Sequence, residues 1–278
     1  MAYPFPDVSE APLTDLISLR GRRAVITGGA RGLGRAIAAR LAEAGSDILL
    51  ADIESNLATQ SAAELARTHG TRVIATRLDV TDPASVDAAA EFAVQELGGL
   101  DIWINNAGVF PAFGVLEATD EQWRQVHAVN IDGTFRGARA AARHFAGRGG
   151  GVIINIISTA GFQAPAPGLS AYVSSKHAVR GLTKELALEL APLGVRVLGV
   201  APTFVPTEGN LAAAEAGRAQ AEAAGIDLDD GGMDVMTQSL IGRIGTPDDI
   251  ARVVLFAATD LALFMTGSTL IADAGETI

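Results

Sequence analysis

The sequence predicts an α/β protein: a Rossmann-like, doubly wound parallel sheet of about seven strands with helices on both faces, in a single domain. Three observations carry this expectation. From residue 21 onward, short β-rich apolar runs alternate with longer Ala- and Leu-rich segments of helical period. The first apolar run leads into a glycine-rich turn that opens a helix. Hydrophobic residues make up 49% of the 278 positions, enough to bury a substantial core.

Residues 1–20 contain three prolines and no signal-like apolar run, so they are read as a surface arm preceding a domain over 21–278. "RAVITG" is the first strand, and "TGGARGLGRAI" takes the chain through Gly28, Gly32 and Gly34 into a helix. In "LGRAIAARLAEAG", Ile37, Leu41 and Ala44 fall on one helical stripe, and Gly45 supplies the stop. "DILLAD" is the second strand and ends on Asp52. "RVIATRLD", "LDIWINNAG", "GVIINIIS", "VRVLGVAP" and "TLIAD" complete the set, separated by helices that include long ones around 117–147 and 172–192. Residues 208–240 depart from the alternation, with an Ala-rich helix followed by an acidic, Gly-rich turn, and are read as a lid over the substrate.

The glycine turn has a physical purpose. Glycine permits tight φ/ψ values and close backbone approach, and the helix N-terminus adds partial positive charge, so the turn suits a pyrophosphate. Its G-x-x-x-G-x-G spacing differs from the general dinucleotide fingerprint. Asp52, at the end of the second strand, is placed to accept hydrogen bonds from ribose hydroxyls and to repel a 2′-phosphate, favouring NAD over NADP. Arg31 pulls the other way: it could meet a 2′-phosphate, pack on the adenine face or remain solvated. Tyr172 and Lys176 stand four apart in a helical stretch and so share a face. A nearby ammonium favours the phenolate, which would make Tyr172 a proton acceptor.

Several function classes are disfavoured. A net charge of -11 with no basic block argues against nucleic-acid partners. No run of about 18 apolar residues predicts a membrane span. The absence of cysteine removes disulfides and thiolate metal sites, and His69, His127, His144 and His177 lack ligand spacing, so no metal is expected. The Asp227, Asp229 and Asp230 cluster lacks the ligand pattern of a calcium loop. The chain is expected to be cytoplasmic.

Taken together, "TGGARGLG", Asp79-Val80 in "RLDVTD", "NNAG" at 105–108, Asn130 in "HAVNIDGTF", Ser158 in "NIISTAG" and the Tyr172/Lys176 pair resemble the short-chain dehydrogenase/reductase family over residues 20–275. The resemblance implies Asn130, Ser158, Tyr172 and Lys176 as the catalytic group. Tyr172 would be the acid/base, with Lys176 lowering its pKa and gripping the nicotinamide ribose. Ser158 would hold the substrate oxygen, and Asn130 a water on the proton's path to solvent. It also implies cofactor contacts at Gly28, Arg31, Gly32, Leu33, Gly34, Asp52, Ile53, Asp79, Val80, Asn106, Ala107, Gly108, Pro202, Thr203, Val205 and Thr207, as well as at Tyr172 and Lys176. A homotetramer is implied by similar proteins. Two positions depart from the family pattern: Thr203 follows Pro202 where glycine is common, and "DAG" at 273–275 replaces "DGG". The first puts the local backbone shape in question; the second reads as a small steric change.

The expected pocket walls, Phe110, Phe113, Phe162, Phe204, Met233 and Met236, are mostly apolar. They point to a hydrophobic, cyclic or aromatic secondary alcohol or its ketone. Glu208, Asn210 and Gln238 in the lid keep a sugar or polyol open as an alternative, followed by a 3-oxoacyl thioester and then a non-catalytic NAD-binding regulator.

Overall fold

The computed structural model describes residues 5–211 and 239–278. Most of the expected lid, with Met233, Met236, Gln238 and the Asp227–Asp230 cluster, lies outside the described residues. All seven expected strands are present: β1 (Arg23–Thr27), β2 (Asp47–Asp52), β3 (Val73–Arg77), β4 (Ile102–Asn105), β5 (Gly151–Ile156), β6 (Val195–Pro202) and β7 (Thr269–Ala272). They form one sheet in the order β3-β2-β1-β4-β5-β6-β7, with every pairing parallel.

Alternation along the strands divides the core into two layers. Ala24 and Ile26 of β1, Ile48 and Leu50 of β2, Ile102 and Ile104 of β4, and Leu198 and Val200 of β6 face α2 (Gly32–Glu43), α3 (Ser55–His69) and α8 (Pro247–Ala258). Their neighbours Val25, Leu49, Trp103, Ile153 and Val197 face α4 (Pro83–Leu97), α6 (Gly133–Phe145) and α7 (Ser170–Leu190). Most of these strand side chains are completely buried, as expected for sheet residues covered on both sides. The N-terminal arm holds a short helix, α1 (Leu13–Leu16), and is not wholly superficial. Leu19 is buried in the α2/α3/α8 layer, and its N–H donates to Ala44 O at 2.8 Å.

Two departures from the sequence expectation bear on the site. The helical stretch expected over 117–147 is α5 (Asp120–His127) and α6 joined by a π-helical segment, Ala128–Asp132. The wider turn rotates Asn130 inward, where it is 1% exposed. At the C-terminus, Ala274 has φ +54°, alone in the left-handed region among the described non-glycine residues. "DAG" is therefore a matter of backbone strain and more than a small steric change. Ala274→Gly is expected to stabilise the fold by about 0.5–1 kcal/mol, relief of strain exceeding the entropy that glycine adds to the unfolded chain. The reading would be a higher urea midpoint at unchanged slope.

Candidate active site

The site lies at the C-terminal ends of β1, β2, β4, β5 and β6, around the point between β1 and β4 where the strand order reverses. The turn after β1 is built for close approach. Gly28 has φ +64° and its N–H donates to Ala51 O at 2.8 Å, locking the turn against β2. A Cβ at Gly34 would overlap the Gly28 carbonyl oxygen and the Asn106 amide. Asn106 braces the turn from β4, its amide donating to Thr27 O at 3.0 Å and Gly28 O at 2.9 Å. The Asn106 and Ala107 N–H groups both donate to Thr27 Oγ1 at 3.0 Å. Thr27 is thus a bracing residue that sequence reasoning did not single out; its place directly before the first glycine was the available signal.

The N-terminus of α2 has no side-chain cap and no acidic residue in its first turn. Among the described residues its donors are free of carboxylates, and an anionic group fits there. Asp52 stands beside it, Oδ2 accepting from Ala30 N and Oδ1 from Glu54 N, each at 3.0 Å. Arg31 is ion-paired with Glu54 at 2.8 Å, a partner that sequence reasoning did not identify. Thr207 comes over Gly32, whose added Cβ would sit 3.3 Å from Thr207 Cβ. Ile53 is exposed, whereas Leu33 and Val205 pack into the core, so any contact by the latter two with a bound group would be mainly through backbone. The Asp79 carboxylate is engaged by Thr81, whose N–H and hydroxyl donate at 2.9 and 2.7 Å and lower its pKa. Val80 packs toward Gly133 of α6, and its carbonyl accepts from Arg136.

The catalytic candidates converge. Ser158 follows β5 and accepts from Ala160 N at 3.1 Å, which fixes its rotamer at a 3₁₀ turn, Thr159–Gly161. Tyr172 and Lys176 project from the first turns of α7, the ammonium 5.6 Å from the phenol ring centre. Lys176 is 6% exposed and donates to Ile156 O at 2.9 Å. Burial holds its pKa down to about 8. Burial also raises the Tyr172 phenol, against a hydrogen bond with Ser158 that favours the phenolate. The expectation that Lys176 and the nicotinamide of bound NAD+ lower Tyr172 concerns the loaded site; in the protein alone desolvation dominates, because the phenolate would be poorly solvated.

Asn130 is nearby but its side chain is committed. Its Oδ1 accepts from Val109 N at 2.9 Å, while its amide donates to Val109 O at 2.8 Å and Ser175 Oγ at 3.0 Å. Ser175 in turn donates to Tyr172 O at 2.7 Å, so Asn130 ties the loop after β4 to the catalytic helix. Both amide hydrogens are used, which restricts any water held by this side chain to the remaining lone pair on Oδ1.

Among the apolar wall candidates, Phe110 meets Tyr172 edge-on at 5.9 Å. Phe113 N donates to Gly168 O at 2.9 Å, strapping the loop after β4 to the approach of α7. Phe204 is 38% exposed beyond β6. Phe162 is partly buried against Ile157, Val179 and Ala201, with the Arg180 guanidinium 4.0 Å from its ring centre.

A glycine turn open to close approach, an acid at the end of β2 and a buried lysine next to a phenol thus lie at one end of the sheet. The short chain dehydrogenase family model matches residues 22–217. The chain is 38% identical over 256 residues to L-2,3-butanediol dehydrogenase of Corynebacterium glutamicum, covering 91% of this chain and 97% of that one. It superposes with a TM-score of 0.84 on a gluconate 5-dehydrogenase from Burkholderia cenocepacia J2315 in complex with NADP and tartrate, at 34% identity and covering 96% and 99% of the two chains. A 7α-hydroxysteroid dehydrogenase complexed with NADH and a 7-oxo bile acid gives the same TM-score at 28% identity, covering 94% and 96%. The chain belongs to the short-chain dehydrogenase/reductase family. It is accordingly an oxidoreductase of alcohol and carbonyl groups that uses a nicotinamide cofactor. No described helix is long and apolar enough to cross a membrane.

Proposed function

We propose that the protein is an NAD-dependent dehydrogenase interconverting a hydrophobic or cyclic secondary alcohol and its ketone. The observation that carries this is the phenol of Tyr172, with the Lys176 ammonium 5.6 Å from its ring centre and the Phe110 ring edge-on to it. When bound, the nicotinamide accepts or donates the hydride; the chain supplies proton transfer and position. Ser158 orients the substrate oxygen. Tyr172 takes the hydroxyl proton during oxidation and returns it during reduction. Lys176 holds the nicotinamide ribose. Asn130 keeps the loop after β4 and α7 in register.

The preference for NAD is supported by Asp52, which stands against the glycine turn, and by Glu54, which neutralises the cation that could answer a 2′-phosphate. Asp52→Ala is expected to narrow the NAD/NADP ratio of kcat/KM about tenfold, roughly 1.4 kcal/mol of lost discrimination. An unchanged ratio would show that the ribose contact is elsewhere. Exposed apolar side chains on α5–α7, Trp123, Phe135 and Leu188, and near α8 and β7, Phe256, Phe264 and Ile271, support a homotetramer.

Polyol oxidation is the second reading, favoured by the polar side chains of Thr203, Gln163 and Glu276, which meet beyond β5 and β6. The deciding assay follows reduced-nicotinamide absorbance with NAD+ and NADP+ in parallel over aliphatic, cyclic and aryl carbinols and free polyols. Turnover of cyclic or aryl carbinols with NAD+ supports the first reading. Turnover confined to polyols replaces it with the second.

A further inference from the structure

Glu276 carries a carboxylate to a place where three segments meet. The Thr203 hydroxyl, directly after β6, donates to its Oε2. The Gln163 amide, just beyond the 3₁₀ turn that follows Ser158, donates to its Oε1 at 3.1 Å. The C-terminal turn bearing Glu276 is itself fixed by Asp273, which accepts from Gly275 N and Thr277 N at 2.9 Å and from the Thr277 hydroxyl at 2.7 Å. The strained carbonyl residue Ala274 accepts from Leu240 N at 2.9 Å, so the same turn also holds the chain where it re-enters the described residues.

This arrangement is held at a cost. Burial, and then the Asp273 charge, push the Glu276 carboxyl above its usual range, against the hydrogen bonds of Gln163 and Thr159. Ala274 adds backbone strain next to it. A chain end that served only to complete β7 would need neither. Thr203 explains the pairing. Glycine, common there in the family, would present no side chain to hold; Thr203 has an ordinary negative φ and a hydroxyl that needs an acceptor. The turn after Pro202 is thus fixed by a side-chain bond instead of by glycine's backbone geometry.

We propose that Glu276 is a positioning residue for the nicotinamide end of the cofactor site, acting through Thr203 on the turn after β6 and through Gln163 on the turn that carries Ser158. The inference rests on the nicotinamide reading above. It places the effect at one end of the dinucleotide only, because the adenine-side elements, the glycine turn and Asp52, share no hydrogen bond with Glu276 among the described residues.

The test is equilibrium binding of NADH and of ADP-ribose, which lacks the nicotinamide, to the wild-type chain, Glu276→Ala, Glu276→Gln and Thr203→Val. Glu276→Ala is expected to weaken NADH about tenfold and leave ADP-ribose within about twofold. Glu276→Gln should recover part of the loss, since its amide oxygen still accepts from Thr203. Thr203→Val should weaken NADH in the same selective way and add little in the Glu276→Ala background. Should Glu276→Ala fail to fold, Thr203→Val carries the same comparison. Equal weakening of both ligands, or unchanged NADH binding, overturns the role of Glu276 while leaving the nicotinamide reading intact. A wild-type chain that binds ADP-ribose and NADH equally well would overturn both.

Discussion

Tyr172→Phe is expected to bind NADH as the wild-type chain does and to lose turnover by about 10³–10⁴-fold or more, because it removes the proton carrier and almost no volume. The phenol is partly buried, with Phe110 edge-on to it and Lys176 near its ring, so the phenylalanine ring fits the same space. A loss confined to kcat, with cofactor binding preserved, is the expected signature of a group needed in the transition state. The pH dependence has a definite sign. Burial raises the phenol pKa, so the deprotonated form needed for oxidation becomes more populated as pH rises, and oxidative kcat/KM should climb through that pKa. Reduction needs the protonated phenol and should fall over the same interval. Turnover of Tyr172→Phe near the wild-type level, or flat profiles in both directions, would remove Tyr172 as the proton carrier.

Arg196→Met is expected to destabilise the fold by about 1–3 kcal/mol without touching the site. Arg196 lies on β6 and is 2% exposed. Its guanidinium donates to Ala257 O at 3.1 Å and Thr259 O at 3.2 Å at the end of α8, and to Ala262 O at 3.1 Å just beyond. Burial lowers its pKa to about 10, which still leaves it charged at neutral pH. A cation at the negative end of a helix satisfies carbonyls that have no intrahelical partner. Methionine fills similar volume but takes the guanidinium donor from the Ala257 carbonyl, at about 1–3 kcal/mol for a buried acceptor left unpaired, while Thr259 O and Ala262 O keep their backbone donors Ala262 N and Met265 N at 3.3 and 2.9 Å. The contribution shows as a lower denaturant midpoint at unchanged slope, with α8 loosened against α2. A change below about 1 kcal/mol would mean that water replaces the guanidinium without loss.

Much of the fold was legible because its determinants are local. Each strand was marked by a short β-rich run and each intervening helix by a 3.6-residue stripe, and all seven strands fall where the runs do. The glycine turn was legible for the same reason: Gly28 and Gly32 take positive φ, a property of single residues. Asn130 was less so. Its residue type and motif were visible, yet its inward direction comes from a π-helical widening that no apolar period records. The packing of Phe162 under Arg180 was not legible, because an aromatic after β5 reads alike in sequence whatever covers its ring.

The sequence by itself thus determined the order of elements, the parallel sheet, the glycine turn and the proximity of Tyr172 to Lys176, since each is encoded within a few residues along the chain. Only the tertiary structure decided which way the Tyr172 phenol is shifted, that Arg31 is neutralised by Glu54, that Arg196 closes α8, and that Glu276 meets Thr203 and Gln163. These depend on desolvation and on hydrogen bonds between groups brought together by folding, Gln163 and Glu276 being 113 residues apart in the chain. Burial and long-range pairing are properties of the packed chain, and no local pattern carries them.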